Sequence, residues 1–144
     1  MELLFSVTIP GALRGKGRHR TLKGGGSYPD PKTVRAEDDV RRMVSLVWTG
    51  AVKTEEAFVV CIKAFSLRPK TKPKRFFVPT SKPDWDNEGK LVCDALNGIV
   101  WRDDAQIADG RVLKRFCTAK HPQECFVIEV SILQPEDLGP DGED

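Results

Sequence analysis

The sequence predicts an α+β domain of two layers, a mixed four-stranded sheet with two helices in the order β-α-β-α-β-β. Three observations predict it. Apolar residues alternate with period two in some segments and recur with helical period in two others. Proline and glycine clusters separate these segments. The length, 144 residues, is that of one domain, enough to bury roughly two-thirds of the surface an unfolded chain exposes.

Leu3–Ile9 reads as the first strand, ended by the turn signal Pro10-Gly11. Gly11–Lys32 is a long loop carrying Arg14, Lys16, Arg18, Arg20, Lys23 and Lys32 among glycines. Loops of that length inside a compact domain are usually functional or disordered. Thr33–Thr49 reads as a helix with Ala36, Val40, Met43, Val44 and Val47 on one face, Thr33 as N-cap and Gly50 just past its end. Ala57–Phe65 reads as a mostly buried strand. Ser66–Pro83 is a second basic loop, with Arg68, Lys70, Lys72, Lys74, Arg75 and Lys82, and its four prolines exclude helix or central strand. Asn87–Asn97 fits a short helix capped by Asp86, with Leu91, Val92, Ala95, Leu96 and Ile99 apolar and Gly98 beyond its end. Ala105–Cys117 and Glu124–Leu133 read as a hairpin, the second strand alternating at Phe126, Ile128, Val130 and Ile132. The β-α-β succession predicts a parallel pair, and the hairpin adds antiparallel strands. Residues 1–133 form one expected domain, and 134–144 an acidic tail expected to be disordered.

The 23 Lys and Arg nearly balance 21 Asp and Glu, for a formal net charge of +2. The balance hides a split. Five acids sit in the tail with no basic residue; setting those charges aside leaves the rest of the chain at +7 rather than +2. A basic body favours a polyanionic partner without naming one. A composition 40% hydrophobic and 31% charged excludes a disordered or collagen-like chain. The longest apolar stretch, Ala57–Phe65, is broken by Lys63 and falls far short of the ~20 residues a bilayer requires, so no membrane partner is expected. Met1-Glu2-Leu3 has an acid where a secretory signal has a basic region, and a cytoplasmic protein is expected. Cys61, Cys93, Cys117 and Cys125 include no Cys-x-x-Cys pair, so reduced thiols are expected. Cys117-x3-His121-x3-Cys125 has the spacing of part of a zinc site, but a fourth ligand is not evident nearby. The simpler reading places both cysteines at the ends of hairpin strands.

The densest polar feature is Lys82-Pro83-Asp84-Trp85-Asp86-Asn87-Glu88-Gly89-Lys90, then Asp94, then Trp101-Arg102-Asp103-Asp104. If the chain is extended before the helix, Asp84 and Asp86 point the same way. Lys90 lies one turn along the helix from Asp86, on the same side. Each piece alone has an ordinary reading: Asp86 as an N-cap, Asp103-Asp104 as a polar turn, Trp85 and Trp101 as core or interface aromatics, Lys90 as a solvated residue. The combination argues for more. Acids set between two basic loops repel a polyanion unless a cation reconciles them. Magnesium takes oxygen ligands, uses one or two carboxylates and keeps positions open for phosphate and water. Carboxylates beside a basic groove are the composition of a metal-dependent phosphodiesterase. An EF-hand is excluded, because Asp84-x-Asp86-x-Glu88-Gly89 runs on to Ala95 where the loop requires a bidentate Glu. Gly15-Lys16-Gly17 lacks the P-loop spacing, and a Gly-x-Ser-x-Gly elbow is absent.

Asp84-Trp85-Asp86-Asn87-Glu88-Gly89-Lys90, Asp94-Ala95-Leu96-Asn97-Gly98 and Trp101-Arg102-Asp103-Asp104-Ala105-Gln106-Ile107 together resemble the signature of RusA-type Holliday-junction resolvases, a family often carried by phages and prophages. The resemblance spans Leu3 to Leu133. The basic Gly15–Arg20 stretch, with Tyr28 and Pro31-Lys32-Thr33, is similar to the phage branch. It implies an endodeoxyribonuclease acting as a homodimer on four-way DNA junctions in recombination and repair, with Mg²⁺ as cofactor and Mn²⁺ as the alternative cation. It implies metal-binding aspartates at Asp84, Asp86 and Asp104 and a catalytic lysine at Lys90, with Asp94 and Asp103 as weaker assignments. Some members carry an arginine directly before the first aspartate, where this chain has Pro83; Lys82 or Arg75 then supplies that charge. Phosphate contacts are expected from Lys16, Arg18, Arg20, Lys70, Lys72, Lys74, Arg75 and Lys82. Trp85, Trp101 and apolar residues of the second helix are the expected dimer contacts. Two other readings share these features: a non-catalytic nucleic-acid-binding protein whose acids merely cap a helix, and a metal-dependent nuclease acting on flaps or RNA.

Overall fold

The computed structural model of the chain describes residues 1–140. Asp141, Glu143 and Asp144 of the acidic tail lie outside the described residues; within the tail, Pro135–Leu138 forms a short 3-10 turn.

The elements are β1 (Glu2–Pro10), β2 (Arg20–Thr21), β3 (Ser27–Tyr28), α1 (Pro31–Val47), β4 (Phe58–Ser66), α2 (Trp85–Ala95), β5 (Ile107–Phe116) and β6 (Cys125–Ile132). The main sheet has four strands in the order β1-β6-β4-β5, and β2 pairs with β3 as a small separate ribbon inside the first basic loop. This is the expected mixed α+β arrangement of two main helices and a four-stranded sheet. β4 and β5 are parallel, with Ile62 opposite Val112, and α2 makes the crossover between them. β6 runs antiparallel to both of its neighbours, β1 and β4.

One expectation fails. Ala105–Cys117 and Glu124–Leu133 do not form a hairpin, because β4 lies between β5 and β6. The physical reason is how much of each strand can be buried. β6 is buried along most of its length, including Cys125, Val127 and Ser131 on the face away from the helices, which suits a central strand. β5 carries Asp109, Arg111, Lys114 and Arg115, and takes the sheet edge, where charged side chains also block pairing with another chain.

Alternate residues of three strands share one face. Phe5, Val7 and Ile9, Phe58, Val60 and Ile62, and Phe126, Ile128 and Val130 join Val40 and Val44 of α1 and Leu91, Val92 and Ala95 of α2 in a single core. Both helices therefore cover the same side of the sheet. Val47, expected on the inner face of α1, is exposed; Trp48 takes over, with its ring centroid 6.2 Å from that of Phe5. α1 starts two residues before the expected cap. Pro31 occupies its first turn after Asp30, a position whose missing N–H costs nothing. Thr33 is instead buried, its hydroxyl accepting from the Gly17 amide at 2.8 Å and donating to Asp30. Among the described residues no helix is long and apolar enough to cross a membrane.

Candidate active site

α2 begins at Trp85 with Asp84 as its N-cap residue in extended conformation. The expected cap, Asp86, lies inside the first turn. Asp84 and Asp86 therefore do not alternate along one extended segment, although both line one groove. Pro83 explains the earlier start, since the residue after a proline turn is free to open the helix and Asp is favoured there.

From Asp86 onward two stripes divide the helix. Glu88, Leu91, Val92 and Ala95 are buried toward the core. Asp86, Gly89, Lys90 and Cys93 turn the other way, toward β5, and line a cleft of about 330 Å³. Its far wall is Ile107, Gly110 and Val112, with Asp104 at its mouth. Gly89 permits this close approach, because a Cβ there would lie 3.1 Å from Val112 Cγ2. On the other side of Trp85 a second groove is lined by Thr80, Ser81, Lys82, Asp84, Asp86 and Lys114. Asp86 belongs to both. The structure thus brings Asp86, Lys90 and Asp104 to one cleft and leaves Asp84 in the adjoining groove, where Lys82 pairs with it at 2.8 Å.

Asp104 is held by residues that sequence reasoning quoted without a role. Asp103 caps the 3-10 turn Asp104–Gln106 in a reciprocal box with Gln106. The Gln106 side chain accepts from the amides of Arg102 and Asp103 and donates to the carbonyls of Lys53 and Glu56, at 2.9–3.2 Å. Trp101, fully buried, donates to the Cys93 carbonyl and to Asn97 Oδ1, tying this segment to the end of α2. Asp103 is thus a capping residue, and Trp101 is core.

The electrostatics of the cleft are uneven. Asp103, then burial, then Asp94 push the Asp104 carboxyl above the ordinary carboxylate range. Burial works against the Asp94 charge, but Lys16 and then Lys90 outweigh it and hold the group low. Lys16 reaches Asp94 at 2.5 Å and Glu37 at 3.6 Å, bridging the first loop to both helices. Lys90 meets Asp94 at 3.6 Å from a largely exposed position. Burial, then Asp104 and Asp94, push the Cys93 thiol up to about 12, so it stays protonated and offers no thiolate. Among the described residues no three His, Cys, Asp or Glu side chains are placed together to hold a metal ion. The donors that face the cleft are nevertheless the oxygen type a hard cation requires, and two carboxylates with a substrate phosphate are the common magnesium arrangement.

The expected DNA contacts divide. Lys16 is spent on Asp94 and Glu37, Arg20 pairs with Asp30 at 2.9 Å, and Lys82 with Asp84. Lys72 and Arg75 both lie over the Phe76 ring, at 4.8 and 4.9 Å from its centroid. Arg18, Lys70, Lys74 and Arg75 are exposed. Sequence reasoning missed Lys114. From β5 it donates to the carbonyls of Ser81 (2.5 Å) and Pro83 (3.0 Å), clamping the second basic loop beside Asp84. No local signal marks it, because it acts across the sheet edge. Arg68 shapes the same loop by donating to the Phe76 carbonyl at 2.7 Å and stacking on Phe116.

A family model described as Endodeoxyribonuclease RusA matches residues 10–132. The chain belongs to the RusA endodeoxyribonuclease family. The match takes in both main helices and β4, β5 and β6 of the main sheet, and so the whole cleft; of β1 it includes only Pro10. Among curated proteins, the chain is 45% identical over 53 residues to the uncharacterized protein YqaN of Bacillus subtilis (strain 168). That similarity covers 37% of this chain and 37% of YqaN, so the chain aligns with well under half of that relative's length. The RusA domain also contains a costly group that the motif conceals. Glu88 is buried, and burial, eased slightly by Lys114, raises its carboxyl from 4.5 to about 7. Because the folded value lies above the unfolded one, its contribution to stability is fully present below about pH 4.5 and is lost as pH rises through 7. The loss is at most about 3 kcal/mol. Urea unfolding at pH 5 and pH 8 is expected to show Glu88→Gln losing less stability between those pH values than the wild type. Equal losses would place the titration elsewhere.

Proposed function

We propose that the chain is an Mg²⁺-dependent endodeoxyribonuclease that resolves four-way DNA junctions as a homodimer by paired nicks. One observation carries the reading: Asp86, Lys90 and Asp104 share a cleft, and Asp86 joins it to a groove bordered by Thr80, Ser81 and Lys82 of the basic loop, in a chain of the RusA family. Asp86 and Asp104 would hold the metal, with Asp84 joining from the adjoining groove when its pair with Lys82 opens. A Mg²⁺ ion held by these carboxylates would supply Lewis-acid polarisation of the scissile phosphate and a lowered pKa for an attacking water. Lys90 lines the cleft, and its ammonium, 3.6 Å from Asp94, would offset charge developing on the phosphate oxygens. Asp94 steadies Lys90, and Lys16 in turn fixes Asp94. The phosphate contacts fall to the exposed Arg18, Lys70, Lys74 and Arg75, which position DNA without reading it.

The four-way junction has two equivalent strands to cut, and a C₂ dimer presents two equivalent sites. Trp101, Leu91 and Val92 are fully buried within the protomer and cannot meet a partner, whereas Trp85 is 60% exposed at the rim of the cleft. Trp85 is the remaining candidate for the contact between protomers.

Lys70 and Lys74 supply a second test. Taking one cation away from a backbone phosphate lowers the salt slope of log K by roughly 0.9. Replacing both by Ala is expected to flatten the slope by up to about 2 and weaken binding to all sequences alike, measured as junction affinity over a salt series with Ca²⁺ in place of Mg²⁺. Parallel salt plots would remove this loop from the DNA surface. The function itself is tested by offering a synthetic four-way junction beside duplex, flap, single-stranded DNA and RNA, with Mg²⁺ and with chelator. Preferential, metal-dependent cutting of the junction is expected. Preferred cutting of a flap or RNA favours the other nuclease reading, and binding without cutting favours a non-catalytic protein.

A further inference from the structure

Phe77 is the most exposed large apolar side chain among the described residues, at 79%. It stands in the second basic loop, whose own contacts brace the chain around it. The Lys72 amide donates to the Pro69 carbonyl at 3.0 Å and the Phe76 amide to the Pro73 carbonyl at 3.1 Å, closing two turns before it. Arg68, resting on the Phe116 ring of β5, donates to the Phe76 carbonyl at 2.7 Å. Lys72 and Arg75 lie over the Phe76 ring, and Phe76, Val78 and Pro79 are half-buried. Phe77 is thus presented to solvent from a held segment. Single exposed apolar residues are ordinary; this one differs in its bracing and in its place. Thr80, Ser81 and Lys82 border the groove that carries Asp84 and Asp86. Phe77 precedes Thr80 by three residues, so their Cα atoms lie within ~11 Å of each other, about three base steps along a DNA strand.

We propose that the Phe77 ring stacks on the face of a base opened at the branch point, and that this contact makes the loop favour branched DNA over continuous duplex. The charge around the ring selects this occupant over a second copy of the chain. Among the described residues, none of Lys70, Lys72, Lys74 and Arg75 pairs with a carboxylate. A C₂ contact through Phe77 would set these cations against their own copies, and like charges repel. Beside DNA the same cations meet phosphates while the ring meets a base. In a continuous duplex both faces of each base are covered, and inserting an apolar side chain must first unstack a step. At a branch the stack is already interrupted, and that cost falls. Every base has a flat face, so the contact tolerates any sequence.

This inference rests on the proposed function, and the test separates the two. Wild type, Phe77→Leu and Phe77→Trp are compared for affinity to an immobile four-way junction and to continuous duplex of equal length, across a salt series with Ca²⁺ in place of Mg²⁺. Leucine keeps an apolar side chain without a flat ring; tryptophan keeps a flat ring. The site is exposed, so both variants are expected to fold. Phe77→Leu should bind the junction about fivefold or more weakly, bind duplex as wild type does, and keep the wild-type salt slope, since no charge is removed. Phe77→Trp should match or exceed wild type on the junction. A second arm places 5-iodouracil at one position at a time around the exchange point and maps the photo-crosslink. The expected crosslink joins a branch position to Phe77 in wild type and is lost in Phe77→Leu. Equal junction affinity for wild type and Phe77→Leu, an equal loss on duplex, or no crosslink to Phe77 at any branch position overturns this proposal alone. So does a Phe77→Leu protein that, without DNA, sediments at lower mass than wild type, which would make the ring a contact between protomers. Wild type that binds the junction no better than duplex overturns the proposed function and this inference with it.

Discussion

Asp86→Asn is expected to reduce junction cutting by on the order of a thousandfold or more while leaving junction binding intact. The side chain is exposed in the first turn of α2 and lines both the cleft and the adjoining groove. Amide for carboxylate changes charge and ligand strength without changing bulk. The fold loses only a favourable acid near a helix N-terminus, about 0.3–1 kcal/mol, so the variant stays folded. Without metal its affinity for DNA should equal or exceed that of wild type, since one charge facing phosphate is gone. Parallel cleavage and binding assays check this. A variant that cuts at near wild-type rate removes Asp86 from the reaction and leaves the reading of α2 as a capped structural helix.

Trp101→Ala is expected to give the largest loss of stability, about 3–5 kcal/mol from the emptied volume alone. The indole is fully buried and packs on Phe58 with ring centroids 5.2 Å apart. Its loss also removes the hydrogen bonds to the Cys93 carbonyl and to Asn97 Oδ1, each worth about 1 kcal/mol. Against a typical total of about 5–15 kcal/mol, the variant should be partly unfolded at ordinary temperature. Trp101→Phe keeps the ring and loses only the donor, so a smaller cost is expected. Urea denaturation of the three proteins reads the series. A Trp101→Ala midpoint within about 0.5 kcal/mol of wild type would mean that this residue does not hold the Asp104 segment to α2.

Much of this was legible in sequence because the signals were local. Helical and alternating periods located both main helices and all four strands of the main sheet, and the acidic motif marked the residues that now line one cleft and its neighbouring groove. The strand order was not legible. Two consecutive strands joined by a turn containing His121-Pro122 look like a hairpin, and only the burial demanded on both faces of β6 drives it between β1 and β4. The start of α2 was ambiguous because Asp84 and Asp86 are both good caps. The Lys16–Asp94 bridge joins residues 78 apart, and the Lys114 clamp joins β5 to a loop more than 30 residues earlier. Such pairs exist only once the chain has folded. Glu88 was different: it stands three residues before Leu91 and four before Val92, on the inward stripe, so its burial was readable. The surrounding acids made it look like one more surface charge.

The most direct measurement is strand-resolved mapping of nicks in an immobile four-way junction, each strand labelled in turn, with Mg²⁺ and with chelator. The account expects two nicks of equal yield at symmetry-related positions on opposing strands, only when Mg²⁺ is present, and none with Asp86→Asn. A single nick, nicks at unrelated positions, or the same nicks under chelator would contradict it.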